Sequence, residues 1–215
     1  MDEATRMDVK TILFDLGNVV IYLAEESTYH EFARLSEFSY ETLKEKVSKE
    51  SFFHDFETGR ISADEFRSAV RRLLNNENLT DQQIDDAWNK MLLKIDPEII
   101  DAIIRLSAHK KVMVLSNTNI IHEIAFHKML SKISTYKHLN QFFHKVYLSH
   151  EIGERKPDNS SWQHILDDND GIKAEEVLFL DDKSENLDAA GKMGFQVKQI
   201  NNPGETLEVL KLIIG

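Results

Sequence analysis

The sequence predicts an α/β protein with a doubly wound, parallel, Rossmann-like sheet and an inserted helical cap subdomain. Three observations lead there. Five short runs rich in Val, Ile, Leu or Phe, at 9–14, 111–115, 146–148, 177–180 and 195–200, read as strands. Several show little alternation, the pattern of strands covered by helices on both faces. From residue 112 onward strands and helices alternate, and between the first two strands lie roughly ninety residues of helical pattern without a convincing strand, far more than a crossover needs.

In chain order, the first strand is followed by amphipathic patterns: Phe32, Leu35 and Phe38; then Phe66, Val70, Leu73 and Leu74; then Ile84, Trp88, Met91 and Leu92. We read 23–94 as the cap, above one end of the sheet, and 1–22 with 95–215 as the core. Asp96-Pro97 opens a helix with Ile99, Ile100, Ile103 and Ile104 on one face. Ser184 is placed to cap a helix that Gly194 stops. Trp88 and Trp162 read as core or subdomain-contact residues, and 128–138 as a helix extension or excursion.

Composition narrows the function classes. Lys+Arg total 26 against 37 Asp+Glu, a formal charge of −11, which disfavours nucleic acid and anionic membranes as partners. The absence of cysteine removes disulfides, thiolate catalysis and thiolate metal sites. No leader-like apolar core opens the sequence and no apolar run reaches membrane-spanning length, so the expected location is cytoplasmic.

Polar residues follow the strands. The first ends in Asp15, the second in Ser116-Asn117, the fourth in Asp181-Asp182, and the third runs into a loop carrying Lys156. Carboxyl ends of parallel strands share one edge of the sheet, where ligands bind. Three carboxylates crowded there are hard oxygen ligands suited to Mg²⁺, which also relieves their mutual repulsion. Lys156 is a point cation for a phosphate, and Ser116 and Asn117 can donate to phosphate oxygens. With both cations in place, a carboxylate can approach a phosphate dianion.

The run Phe14-Asp15-Leu16-Gly17-Asn18-Val19-Val20 resembles the first motif of the haloacid dehalogenase-like hydrolase superfamily. Leu115-Ser116-Asn117-Thr118-Asn119, Arg155-Lys156-Pro157 and Phe179-Leu180-Asp181-Asp182 resemble its second, third and fourth, in family order, and the helical insert resembles its cap. The resemblance implies a Mg²⁺-dependent phosphatase acting on small phosphorylated metabolites such as sugar phosphates, through an aspartyl-phosphate. It implies Asp15 as nucleophile and metal ligand, the Gly17 carbonyl as a second ligand, and Ser116 and Lys156 as phosphoryl holders. Asp182 is then the preferred direct ligand, with Asp181 binding through water or orienting its neighbours. Asn186 either braces the site or caps its helix.

One departure matters. Most phosphatases of that superfamily carry a second Asp two residues after the nucleophile, as general acid; here that position is Gly17. The Asp-Leu-Gly-Asn-Val form resembles glucose-1-phosphatase-like proteins. The alternatives are a slow or non-catalytic phosphate-binding protein and a haloacid dehalogenase, whose first motif usually carries Tyr-Gly-Thr where Gly17-Asn18-Val19 stand. Gly59 and Ser62 suit a turn between cap helices, either a plain corner or a specificity loop lowering Arg60 toward the substrate. His122 and His127, five apart, read as surface or packing histidines. Oligomeric state has no sequence signal.

Overall fold

The structure, a computed structural model, describes residues 9–214; the N-terminal stretch expected to lack a leader core lies outside the described residues. In chain order the elements are β1 (Thr11–Phe14), β2 (Ile21–Leu23), α1 (Glu25–Arg34), α2 (Tyr40–Val47), α3 (Phe52–Glu57), α4 (Ala63–Leu74), α5 (Asp81–Trp88) and β3 (Leu92–Ile95). Then follow α6 (Pro97–Ser107), β4 (Lys111–Ser116), α7 (Ile120–Ile133), β5 (Lys145–Leu148), α8 (Ser149–Ile152) and α9 (Asn159–Asp167). The chain ends with β6 (Val177–Asp181), α10 (Ser184–Lys192), β7 (Gln196–Gln199) and α11 (Pro203–Ile214).

The five expected strands form one parallel sheet in the order β5-β4-β1-β6-β7. Both faces are covered, which explains the unbroken apolar runs. Ile12, Phe14, Val112, Val114, Leu178 and Leu180 pack with α6, α7 and α11 on one face. Leu13, Met113, Leu115 and Phe179 pack with α9 and α10 on the other, around a fully buried Trp162 whose ring meets Phe179 edge-on at 4.8 Å. Strand order reverses at β1, flanked by β4 and β6, so the end of β1 is the topological switch point where an open sheet leaves a crevice.

The insert has its own core. Phe32, Leu43, Phe56, Phe66, Val70, Leu74, Ile84 and Trp88 cluster there, and Ile121 enters from α7. Phe66 stacks on Phe56 at 4.1 Å and meets Trp88 at 5.2 Å. Each such fully buried aromatic side chain contributes about 1.5–3 kcal/mol, enough to explain how short helices hold together. Their ends are specified locally: Ser62 with Glu65, and Thr80 with Gln83, form capping boxes at α4 and α5.

Three local expectations are corrected. The insert is not all helix: β2 and β3 pair antiparallel, Ile21 opposite Ile95, so Leu92 belongs to a strand and not to the last helical stripe. Asp96 precedes α6 but makes no side-chain cap; its carboxylate accepts from Lys94 Nζ at 2.8 Å. Ser184 is the first residue of α10 and does not cap it. Of the two readings for 128–138, helix extension or excursion, the structure has the extension: α7 runs to Ile133 and an irregular stretch follows.

Candidate active site

The parallel register builds the site. Phe14 is level with Val114 and Leu180, so the next residues along these strands bring Asp15 beside Asp181, with Ser116 at the end of β4. The Asp15 amide donates to the Leu180 carbonyl at 2.9 Å, holding that alignment past the last strand residue. Lys156 arrives from the loop after α8, and its ammonium lies 2.8 Å from Asp15 Oδ1 and 2.6 Å from Asp181 Oδ2. Lys156 is 1% exposed and Asp181 0%, so these are desolvated contacts.

Other side chains hold the charged groups in place. Asn117 Nδ2 donates to the Lys156 carbonyl at 2.8 Å while its Oδ1 accepts from the Lys156 amide at 2.9 Å. Both ends of its amide are thus engaged in fixing the lysine loop, and Asn117 also lines the cavity where it was expected to meet phosphate. Thr118 and Ser149 tie the same loops through two further hydrogen bonds. Asp181 accepts from the Lys183 amide at 2.8 Å and from Asn186 Nδ2, which lies 3.0 Å from each carboxylate oxygen. Of the two readings for Asn186, bracing is the one its contacts support. Asp181 in turn orients Lys156 from beneath the cavity floor. Asn18, at φ 52°, donates to Asp182 Oδ2 at 3.0 Å and accepts from the Leu23 amide at 3.1 Å. It thus couples the loop after β1 to both the acidic pair and the start of the cap; asparagine tolerates that left-handed backbone better than most residues.

The electrostatics show an excess of negative charge. Burial pushes the Asp15 carboxyl up to about 6, with Asp181 and Asp182 adding to the rise and Lys156 opposing it. Burial likewise raises Asp182, against the hydrogen bond from Asn18. Burial alone would lower Lys156, but Asp15 and Asp181 outweigh it and hold the ammonium above its ordinary value. Asp15 and Lys156 both move upward, Asp15 chiefly through burial and Lys156 because two carboxylates face it. Carboxylate oxygens of Asp15, Asp181 and Asp182 all lie within 4.8 Å of one another. An all-oxygen, over-negative cluster of this kind fits Mg²⁺.

Above the cluster is a cavity of about 420 Å³, walled by the sheet edge and the insert. Asp15, Gly17, Ser116, Lys156 and Asp182 line it, as expected; Asp181 lies just behind. Arg60 does not. Its side chain is 69% exposed and pairs with Asp55 at 3.5 Å. The cause is Gly59, whose φ of +67° and close approach to the His150 carbonyl turn the corner onto α8 instead of into the cavity. Besides Lys156, the cavity wall holds the cations Arg155 and Lys183, which reach Glu57 at 3.1 Å and Glu25 at 3.6 Å across the core–insert seam. Arg155 had one signal available, its place next to Lys156. His122, expected on the surface or in packing, is buried in the cavity wall beside Trp88.

The haloacid dehalogenase-like hydrolase family profile matches residues 9–194. The chain belongs to this family. A relative named D-ribitol-5-phosphate phosphatase, from Bacteroides thetaiotaomicron, is 30% identical over 96% of this chain and 99% of its own length. A solved structure of a family enzyme from Bacteroides thetaiotaomicron, complexed with magnesium and inorganic phosphate, has a TM-score of 0.77 at 31% identity, covering 89% of this chain and 93% of that one. A predicted HAD-like hydrolase from Porphyromonas gingivalis superposes with a TM-score of 0.85 at 30% identity, over 96% and 98% of the two chains. Within this hydrolase, Gly17 leaves space that another residue takes: Leu23 Cδ1 stands 2.6 Å from where a Cβ on residue 17 would be. Among the described residues no helix is long and apolar enough to cross a membrane.

Proposed function

We propose that this hydrolase is a Mg²⁺-dependent phosphatase of small polyol or sugar phosphates, with Asp15 as its nucleophile. The observation that carries the reading is Lys156, buried and held between Asp15 and Asp181 at the floor of a cavity that also receives Ser116 and Asp182. The relative that cleaves D-ribitol 5-phosphate and the family enzyme that holds magnesium and phosphate support it. So does the cap side of the cavity, where Glu25, Tyr29, Ser48, Glu50, His54 and Glu57 offer polar groups to a hydroxylated chain.

Asp15 attacks phosphorus with one carboxylate oxygen; the new O–P bond forms as the ester P–O bond breaks, and the leaving alkoxide takes its proton from water. Water then attacks the phosphorus of the aspartyl-phosphate, releasing inorganic phosphate and restoring the carboxylate. Lys156 neutralises the carboxylate during approach, and Ser116 donates to a phosphoryl oxygen. Asp15, Asp182 and the Gly17 carbonyl would hold Mg²⁺, which when bound offsets the charge of the phosphate and of the three acids. Asp181 keeps Lys156 aimed at the site.

The test is hydrolysis of p-nitrophenyl phosphate and a panel of polyol and sugar phosphates with and without Mg²⁺. Activity that needs Mg²⁺ and disappears in Asp15→Asn, with the fold retained by circular dichroism, is the expected result. Undiminished turnover in that variant would remove the nucleophile assignment.

A further inference from the structure

His122 is buried, yet its ring forms part of the cavity wall. It sits in the first turn of α7, just beyond the Ser116 loop, and its amide donates to Asn119 Oδ1 at 3.1 Å. The same oxygen accepts from the indole Nε1 of Trp88 at 3.3 Å, so one fully buried amide from the core holds the Trp88 ring and the His122 backbone. The Trp88 and His122 rings lie parallel, 4.8 Å apart and 10° from coplanar, and Trp88 is anchored in turn by Thr28, whose hydroxyl donates to its carbonyl at 2.9 Å. On the imidazole edge, Nδ1 faces the amide oxygen of Asn89 at 2.9 Å, which places the ring proton on Nδ1. Nε2 then carries the lone pair. It has no hydrogen-bond partner among the described residues, and the ring that carries it lines the cavity.

We propose that His122 is a specificity-determining residue whose Nε2 accepts a hydrogen bond from a hydroxyl of the substrate's polyol or sugar chain. The inference rests on the phosphatase reading and adds the group that recognises the part of the substrate beyond the phosphate. Burial pushes the imidazole down to about 3, so the acceptor stays neutral across the working pH range and offers a lone pair, not a charge. The stack on Trp88 and the Asn89 contact leave the ring no freedom to turn away. A rigid buried acceptor of this kind discriminates against ligands with no hydroxyl to offer, because it then faces the cavity unpaired.

The experiment compares wild type with His122→Phe, which keeps an aromatic ring against Trp88 and removes the acceptor. The readout is the ratio of kcat/KM for D-ribitol 5-phosphate, or the hydroxylated phosphate best cleaved by wild type, to kcat/KM for p-nitrophenyl phosphate. We expect this ratio to fall about 10-fold, chiefly through KM, the size of one lost hydrogen bond to a buried partner. His122→Gln, whose side-chain carbonyl can accept, recovers part of the ratio. An equal loss on both substrates in both variants makes His122 a structural residue and overturns the proposal. So does a wild type that cleaves p-nitrophenyl phosphate in Mg²⁺ but prefers no hydroxylated substrate, with the phosphatase reading intact. No turnover of any phosphate ester by wild type overturns both.

Discussion

The buried Asp15 carboxylate, proposed above as the nucleophile, destabilises the metal-free fold, and Asp15→Asn measures by how much. In the folded protein without Mg²⁺ the Asp15 carboxyl is raised from 3.8 to about 6, first by burial and then by its acidic neighbours. The folded state therefore binds this proton more tightly than the unfolded chain does. Well below pH 3.8 the carboxyl is neutral in both states and its contribution is fully favourable; that contribution is lost as pH rises from there through 6. The shift of roughly two units, at about 1.4 kcal/mol each, makes the ionised group cost about 3 kcal/mol at pH 8. Asparagine has nearly the same shape, carries no charge, and leaves Lys156 paired with Asp181 at 2.6 Å. In EDTA at pH 8, Asp15→Asn should melt higher by about 6–12 °C, given about 2–4 °C per kcal/mol for a chain of this size. At pH 4 most of that difference should have disappeared. Differential scanning calorimetry across this range is the assay. A variant that is less stable at pH 8, or whose gain does not change with pH, would refute the account of Asp15 as a strained anion.

Lys156→Met should go the other way, because it leaves Asp15 and Asp181 buried without their shared cation; a loss of about 3–5 kcal/mol is expected in urea titrations, with hydrolysis abolished. Gly59→Ala adds a Cβ 2.3 Å from the His150 carbonyl at a φ of +67°, so it should cost at least about 1 kcal/mol and make the corner at Arg60 sensitive to trypsin. Gly17→Asp alone should not speed hydrolysis of alkyl phosphates, since Leu23 occupies the space, whereas Gly17→Asp with Leu23→Ala should raise kcat by about 10-fold or more by supplying a general acid. An equal gain in the single variant would show that Leu23 does not exclude that acid.

The parts of the site carried by strand ends were legible because each polar residue closes an apolar run: Asp15, Ser116 and Asp181-Asp182 follow strands whose parallel register then leaves no choice about their meeting. Side chains contributed by helices were harder. His122 has the spacing of an ordinary buried helical residue, and only the arrival of Trp88 and Asn89 from the insert makes its ring part of a wall. Arg60 failed for a related reason: the turn was recognisable, but which way it faces is decided by the contact of Gly59 with α8, a tertiary fact. Asn117 was assigned by chemistry alone; its engagement with the Lys156 backbone is again a tertiary fact. The β2–β3 ribbon escaped notice because three and four residues are too few to establish a period, and Leu92 also fits the helical stripe before it.

That ribbon has an architectural consequence. Because the outgoing strand β2 hydrogen-bonds to the returning strand β3, the excursion between them begins and ends at neighbouring points, about 4.8 Å apart. The sheet below senses only that short gap, whatever length of chain is hung on it. Evolution or a protein engineer can thus exchange the whole module, or shorten it to a hairpin turn, without re-registering a single core strand. Insert and sheet are in this sense separately editable, joined by two strands and the few residues that meet across the seam.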